Sequence, residues 1–198
     1  SDIILIDKND KQVFIKENNS IYYVDIDIPS TLTWDLADNI PIGNYKAISF
    51  TFGISASKNI PNMFVNPPER DMFWPIHLGG EQGGYHYLKL NGKWLPDTET
   101  QLTPFNFHLG VGQAYSDSGT IVGFIQNYFS LTLHSNIIIE KDKTTQITLV
   151  MNIEEWFKNP HIFDFDVWGS FIMQNQEAMK IACENGKTVF KIKKVTIQ

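Results

Sequence analysis

The chain has 198 residues, a formal net charge of −6 and 13% aromatic residues. An acidic chain is a poor partner for nucleic acid, because binding to a phosphate backbone requires a basic face. No apolar run approaches the length of a membrane span, and the aromatic content argues against disorder. The single cysteine, Cys183, excludes an internal disulfide and a cysteine-only zinc site.

The sequence begins SDIILI, without Met and without the apolar core of a signal peptide. We therefore expect a mature or trimmed form of an exported or cytosolic protein. Composition alone leaves the compartment open.

Alternating apolar and polar residues predict strands in the first half of the chain. Residues 1–16 predict a hairpin, residues 21–28 a half-buried strand, and residues 43–55 (GNYKAISFTFGIS) the clearest strand. Residues 85–90 predict a further strand, which a tight turn at Asn91-Gly92 would close.

The second half continues in the same way. Phe105 and Phe107 alternate with His108, so His108 is expected to face away from the core or into a cleft at the sheet edge. Further strands are predicted in residues 128–139, 147–153 and 188–197, and residues 164–170 are expected to form a loop. Residues 173–185 are rich in helix-forming residues and are followed by a glycine, which predicts a helix.

Eight to ten strands against one helix predict an all-β fold. We expect an antiparallel β-sandwich, immunoglobulin-like or jelly-roll-like, with one short helix near the C-terminus. No internal repeat or linker divides the sequence, so residues 1–198 are predicted to form a single domain.

Residues 70–112 contain most of the side chains that could bind a metal, including three of the five histidines. His77, His86 and His108, with the thioether of Met72, could supply two or three metal ligands, because imidazole binds copper, zinc, iron and nickel, and thioether sulfur binds Cu(I). The alternative is that these are ordinary histidines with hydrogen-bonded side chains. Trp74, three residues before His77, is expected to pack in the core.

Signals for an enzyme are weak. The sequence has no HExxH motif and no GxSxG motif, so neither a zinc protease nor a serine hydrolase is favoured. Cys183 lies in the predicted helix, where a cysteine is usually inert packing. We expect a protein without enzymatic activity.

Several short blocks, in the same order along most of the chain, resemble the MbnP-like family. GNYKAISFTFGIS (43–55) resembles its G-Y-x-x-I-x-F-x-x-G strand, and DMFWPIHLGGEQGGYHYLKLNG (71–92) resembles its M-[FY]-W…GY-x-[FY]-x-K-x-x-G block. FNFHLG (105–110) resembles its F-x-[FH]-H-[LI]-G block. IEEWF (153–157) and IACENGKTVFKI (181–192) resemble its late strand and terminal helix-strand pair.

The resemblance implies a β-sandwich that is exported to the periplasm, or to the outer membrane or cell surface as a lipoprotein. In copper-binding members, histidines hold the metal, and a tryptophan can be oxidised to kynurenine by a dihaem partner enzyme. Carried over by position, Trp74 is the candidate for that modification, His108 is the first candidate ligand, His77 the second and His86 the third. Met72 would complete or shield the site.

Two hypotheses from different classes follow. The first is an exported copper-binding protein with His108 and His77 as ligands. The second is a surface lipoprotein module without metal, which binds a protein or a glycan through exposed aromatic side chains: Tyr85, Tyr87, Trp94 and Tyr115.

Overall fold

The structure is a computed structural model and describes residues 1–15, 21–36, 40–79 and 84–198. The described residues form ten strands: β1 (Ile4–Asp7), β2 (Gln12–Phe14), β3 (Gly43–Phe52), β4 (Leu88–Trp94), β5 (Thr103–Leu109), β6 (Gly112–Tyr115), β7 (Ile121–Ile125), β8 (Phe129–Ile139), β9 (Thr145–Met151) and β10 (Phe190–Ile197). Two α-helices follow late in the chain: α1 (Phe165–Trp168) and α2 (Gln176–Gly186). Four 3₁₀ helices connect these elements: Pro29–Leu32, Glu69–Met72, Ile76–Leu78 and Ile153–Phe157.

The chain divides into two compact units. The first comprises Ser1–Phe52, Ser130–Asn152 and Phe190–Gln198; the second comprises Gly53–Phe129 and Ile153–Val189. That residues 1–198 form a single domain stays a prediction. Among the described residues, no helix combines the length and hydropathy needed to span a membrane.

The first unit contains two sheets that share one core. Four strands lie in the order β2-β1-β3-β8, and β9 pairs antiparallel with β10. Ile48 and Ile137 of the four-stranded sheet are buried, and Ile147, Ile192 and Val195 of the β9–β10 pair pack against the same cluster. Two sheets that bury facing apolar side chains form a sandwich. The predicted all-β, sandwich-like fold, largely antiparallel and with one short helix near the C-terminus, is confirmed.

The second unit consists of two antiparallel strand pairs, β4–β5 and β6–β7, together with α1 and α2. The Asn175 side chain accepts a hydrogen bond from the Ala178 backbone and so caps the start of α2, and the helix buries Met179 and Ala182 completely. Alternate residues of β5 point inward, so Phe107 is fully buried among aromatic rings that include Trp156 and Phe163.

The predicted strand at residues 21–28 is wrong. No strand forms here. Residues 26 and 27 make a turn, in which the Asp25 carboxylate accepts a hydrogen bond from the Asp27 backbone and the Ile28 backbone donates to the Asp25 carbonyl. Local hydrogen bonding by aspartate competes with strand pairing. The apolar residues that suggested a buried face are exposed, Val24 by 53% and Ile26 by 85%.

The predicted turn at Asn91-Gly92 is also wrong, because β4 runs straight through both residues. Gly92 lies opposite Phe105 on β5, and the aromatic ring of Phe105 occupies the place that a Cβ at position 92 would take. Glycine is therefore required here by a close side-chain approach rather than by a turn.

Two further boundaries differ from the sequence prediction. The expected loop at residues 164–170 contains α1, whose first turn is capped by the Asp164 side chain accepting from the Asp166 backbone. The predicted helix begins at Gln176 rather than at residue 173.

Candidate metal centre

Two segments of the second unit meet before β4 begins. Phe73 and Tyr85 form an antiparallel bridge, the Trp74 backbone donates to the Gly84 carbonyl at 2.8 Å, and the His86 backbone donates to the Met72 carbonyl at 2.6 Å. One residue later the chain changes partner, since the Tyr87 backbone donates to the Leu109 carbonyl of β5 at 2.7 Å. This change of partner places His86 beside β5.

The arrangement brings together Trp74, His86 and His108. The ring centroids of His86 and His108 lie 5.3 Å apart in an edge-to-face arrangement, and the Trp74 ring lies 4.7 Å from His86. Trp74 is completely buried, and its indole nitrogen donates to the Leu78 carbonyl. Gly110 accommodates this indole, because a Cβ at position 110 would collide with the ring.

His108 is on the face of β5 opposite to Phe107, as the alternation predicted. That face is solvent-exposed further along the β4–β5 pair, where Lys93 and Asn91 are exposed. His108 itself is only 9% exposed, and His86 lies against its ring. The pair therefore occupies a covered site at the edge of the two-stranded sheet.

Hydrogen bonds define the protonation pattern of each neutral imidazole. His86 Nδ1 lies 2.9 Å from the Met72 carbonyl oxygen, which can only accept, so Nδ1 carries the hydrogen and Nε2 holds the lone pair. His108 Nε2 lies 2.6 Å from the Asn91 side-chain oxygen and donates to it. The lone pair of His108 is therefore on Nδ1.

Both imidazoles are neutral at physiological pH. Burial lowers the pKa of His86 to about 4, while the carbonyls of Met72 and Phe73 act in the opposite direction and the neighbouring His108 and Lys89 add to the lowering. Burial also lowers the pKa of His108 to about 4, again with a contribution from Lys89. Lys89 lies directly opposite His108 in the β4–β5 register.

The pair fits a metal ion that prefers few nitrogen ligands. His108 Nδ1 is buried and has no hydrogen-bond partner in the described structure. Its lone pair therefore accepts no hydrogen bond there. An unsatisfied buried acceptor is costly unless something binds to it. Metal–imidazole bonds are about 2.0 Å long, so two nitrogens on one ion lie within about 4 Å of each other; rings with centroids 5.3 Å apart allow this.

The other predicted ligands lie in different surroundings. His77 is exposed on the 3₁₀ helix Ile76–Leu78. Met72 contributes its carbonyl oxygen to His86, and its side chain is half-buried. Across the residues that the structure describes, no group of three or more His, Cys, Asp or Glu side chains could hold a metal ion, so the three histidines of this region do not form one cluster.

Two residues of the site were missed by the sequence analysis. Asn91 was assigned to a turn, whereas its side chain fixes the orientation of His108. Lys89 attracted no attention, although its charge acts on both histidines. A sequence signal did exist, since Lys89 and Asn91 lie two residues apart and so share one face of the strand.

Cys183 is the inert packing residue that the sequence suggested. Its thiol donates to the Asn127 carbonyl at 3.1 Å. Burial raises the pKa of the Cys183 thiol to about 12, so it stays protonated and is neither a nucleophile nor a ready metal ligand.

The metal-free alternative requires four exposed aromatic side chains, and two of the four are buried in the structure. Tyr85 is 1% exposed and Tyr87 is 9% exposed, so neither can stack on a sugar at the surface. Trp94 is half-buried and stacks on Phe165 at 5.2 Å. Of the four, Tyr115 alone is largely exposed, at 41%.

Comparison with known proteins covers four of the five blocks seen in the sequence; the block at residues 181–192 lies beyond the matched residues. A family model described as MbnP matches residues 1–176. The sequence matches no curated protein and no solved structure.

Proposed function

The chain belongs to the MbnP family, and from this premise we propose that it is a copper-binding protein without enzymatic activity, which holds Cu(I) between His86 and His108. One observation carries the proposal: two neutral, buried imidazoles lie edge to face, and one of them has a buried nitrogen lone pair without a hydrogen-bond partner in the described structure. Imidazole is a suitable ligand for copper.

The surroundings favour a singly charged ion over a doubly charged one. Within the described residues no carboxylate joins the pair to make a group of three ligands, and the ammonium of Lys89 lies on the side of His108. Two neutral ligands bring no negative charge to the site, and the ammonium of Lys89 repels a cation. This repulsion is weaker for Cu(I), which carries one positive charge, than for Cu(II), which carries two. Cu(I) also accepts low coordination numbers.

In this proposal Trp74 forms the wall of the site. Its ring lies against His86 and is completely buried, so it excludes water from that side. Trp74 is also the residue that we propose for oxidation to kynurenine by a dihaem partner enzyme, on the basis of the family resemblance. The same resemblance supports a periplasmic protein or an outer-membrane or cell-surface lipoprotein.

The decisive experiment is an anaerobic Cu(I) titration against a chromophoric chelator. We expect His86→Ala and His108→Ala each to weaken Cu(I) binding at least tenfold, which corresponds to about 1.4 kcal/mol. His77→Ala is the matched control, because His77 is exposed and belongs to the same segment. It should leave the affinity unchanged.

Two results would contradict the proposal. If the wild-type protein retains no copper after loading with Cu(I) or Cu(II), the copper function is wrong. If His77→Ala weakens binding and His86→Ala does not, copper binding stands but the ligand pair is His77 and His108, as the sequence analysis favoured.

A further inference from the structure

The first unit contains a cleft, whereas the candidate metal centre belongs to the second unit. It has a volume of about 560 Å³ and is lined by Thr132–Ser135 of β8 and Phe190–Val195 of β10. Consecutive residues of both strands line it, rather than alternate ones. Because alternate side chains point to opposite faces of a strand, this pattern means that the cleft runs along strand edges.

The edge of β8 is available for pairing in the described structure. β8 is the last strand of the order β2-β1-β3-β8, so β3 occupies its inner edge and its outer edge is unpaired within that sheet. β10 on the other wall has β9 as its single neighbour in its sheet. An exposed strand edge presents a row of backbone donors and acceptors, to which an extended peptide can add.

The cleft is positively charged, although the whole chain carries −6. Lys191, Lys193 and Lys194 line one wall and His134 lines the other, and none of the ten lining residues is Asp or Glu. The three lysines form no ion pair with a carboxylate among the described residues. The electrostatic potential here is unusual for this chain.

An irregularity in β10 leaves one of these lysines, Lys193, outside the strand pairing. Ile192 is paired with Leu149 and Lys194 with Thr148, so Lys193 is an extra residue without a partner on β9. Bulges of this kind occur at sheet edges and next to functional sites, where they redirect side chains. This bulge places three positive charges in four residues along the cleft.

We propose that this cleft binds an extended acidic segment of a partner protein, which adds as a strand to the outer edge of β8. Backbone hydrogen bonds to Thr132–Ser135 would provide the pairing, and acidic side chains would face the lysines of β10. Four residues of strand are about 13 Å long, so a segment of four to six residues suffices. The proposal does not depend on copper binding.

Lysines on a strand edge can also serve to prevent aggregation, and the experiment must distinguish this role from peptide binding. Edge lysines discourage pairing with other chains and so prevent aggregation. If that is their entire role, an acidic strand-forming peptide will not bind. Binding that depends on both charge and backbone pairing belongs to the proposed site alone.

The test uses three fluorescein-labelled hexapeptides and fluorescence polarisation with the whole chain. The first alternates valine with glutamate. The second replaces each glutamate with glutamine. The third replaces each valine with proline, which keeps the charges but removes the backbone N–H donor at every second residue and disfavours strand pairing. We expect the first peptide to bind at least tenfold more tightly than either of the others, with backbone amide NMR shifts at Thr132–Ser135.

Charge reversal tests the lysines directly. Lys191→Glu, Lys193→Glu and Lys194→Glu combined should weaken binding of the valine–glutamate peptide at least tenfold. Circular dichroism confirms that the variant remains folded, and the single Lys193→Glu variant, at the unpaired bulge position, provides a second measurement if the triple variant does not fold.

A control with the same change in net charge uses three exposed lysines outside the cleft: Lys8, Lys11 and Lys141. Its peptide affinity should change less than twofold. Equal binding of the proline peptide, equal loss in the control variant, or no peptide binding would each overturn the proposal. So would binding to phosphatidylserine vesicles without binding to the peptide, since that result assigns the lysines to a membrane surface.

Discussion

At the scale of single residues, the candidate metal centre depends on Asn91. Its side-chain oxygen accepts a 2.6 Å hydrogen bond from His108 Nε2 and so keeps the lone pair on Nδ1, which is buried. We expect Asn91→Ala to weaken Cu(I) binding about tenfold, because loss of a residue that orients a metal ligand costs 10–100-fold in affinity. Asn106→Ala is the control, since Asn106 lies opposite Asn91 in the strand pair. Equal affinities of the two variants in the chelator titration would contradict this role.

At the residue scale, the orientation of His108 was predictable because the alternation of one strand was enough to give it. His108 follows from the period of β5, since Phe105 and Phe107 must face the core. The resemblance places His86 third, because it lies in a variable position of the GY block. Its contact with His108 depends on a change of strand partner between His86 and Tyr87, which no local pattern reveals. The sequence favours His77 over His86 because His77 follows Trp74 closely; which of the two binds a metal stays a prediction. Pro75, between Trp74 and His77, is the N-cap of the 3₁₀ helix Ile76–Leu78, on which His77 is exposed.

At the scale of elements, α2 is fastened to its neighbours by one buried amide. Asn185 is fully buried; its side chain donates to the carbonyls of Trp156 and His161 and accepts from the His161 backbone. Replacement with alanine removes the hydrogen bond of each of these three groups, of which the Trp156 carbonyl bond is buried and the two His161 bonds are partly buried. We expect Asn185→Ala to lower the free energy of unfolding by about 3 kcal/mol, at about 1 kcal/mol or more for each group.

Urea denaturation followed by tryptophan fluorescence measures this loss, since Trp156 and Trp74 are fully buried in the same unit. Gln174→Ala is a suitable control, because Gln174 is exposed shortly before the same helix. A loss below 1 kcal/mol for Asn185→Ala would mean that the turn at Ile153–Phe157 is held by its aromatic packing rather than by the amide.

The elements that the sequence predicted well are those whose pattern is set by burial on one face. β5 has this pattern, since Phe105, Phe107 and Leu109 are buried at alternate positions. The helix prediction near residue 180 follows from its composition. The prediction failed where one residue type has two uses. Asn-Gly usually marks a turn, but Gly92 makes room for the ring of Phe105. Aspartates at alternate positions suggest the solvent-exposed face of a strand, but the Asp25 side chain accepts a hydrogen bond within a turn.

At the scale of the whole molecule, the fold class was accessible from sequence because many weak strand patterns point to the same answer. The division of the chain into two units was not, because each unit combines segments that are far apart in sequence. Phe190–Gln198 joins the first unit after the chain has passed through the second. Because the sequence contains no linker, it gives no sign that the chain returns to the first unit.

The dependence of stability on pH follows from the two buried histidines. Free histidine has a pKa of about 6.5, whereas burial lowers the pKa of His86 and of His108 to about 4. Between these values the unfolded chain binds protons that the folded chain does not. The contribution of the pair is therefore complete above the unfolded pKa and is lost progressively as the pH falls towards about 4.

We expect the urea midpoint of the wild-type protein without metal to be lower at pH 5.0 than at pH 7.5, and the decrease to be smaller in His86→Gln and in His108→Gln. His77→Gln is the control, because His77 is exposed and its replacement should leave the decrease unchanged. Comparison at pH 5.0 rather than lower keeps most carboxylates ionised, so the difference reports mainly on histidines. If the variants at positions 86 and 108 lose as much stability as the wild type, protonation of this pair does not govern the acid sensitivity of the fold.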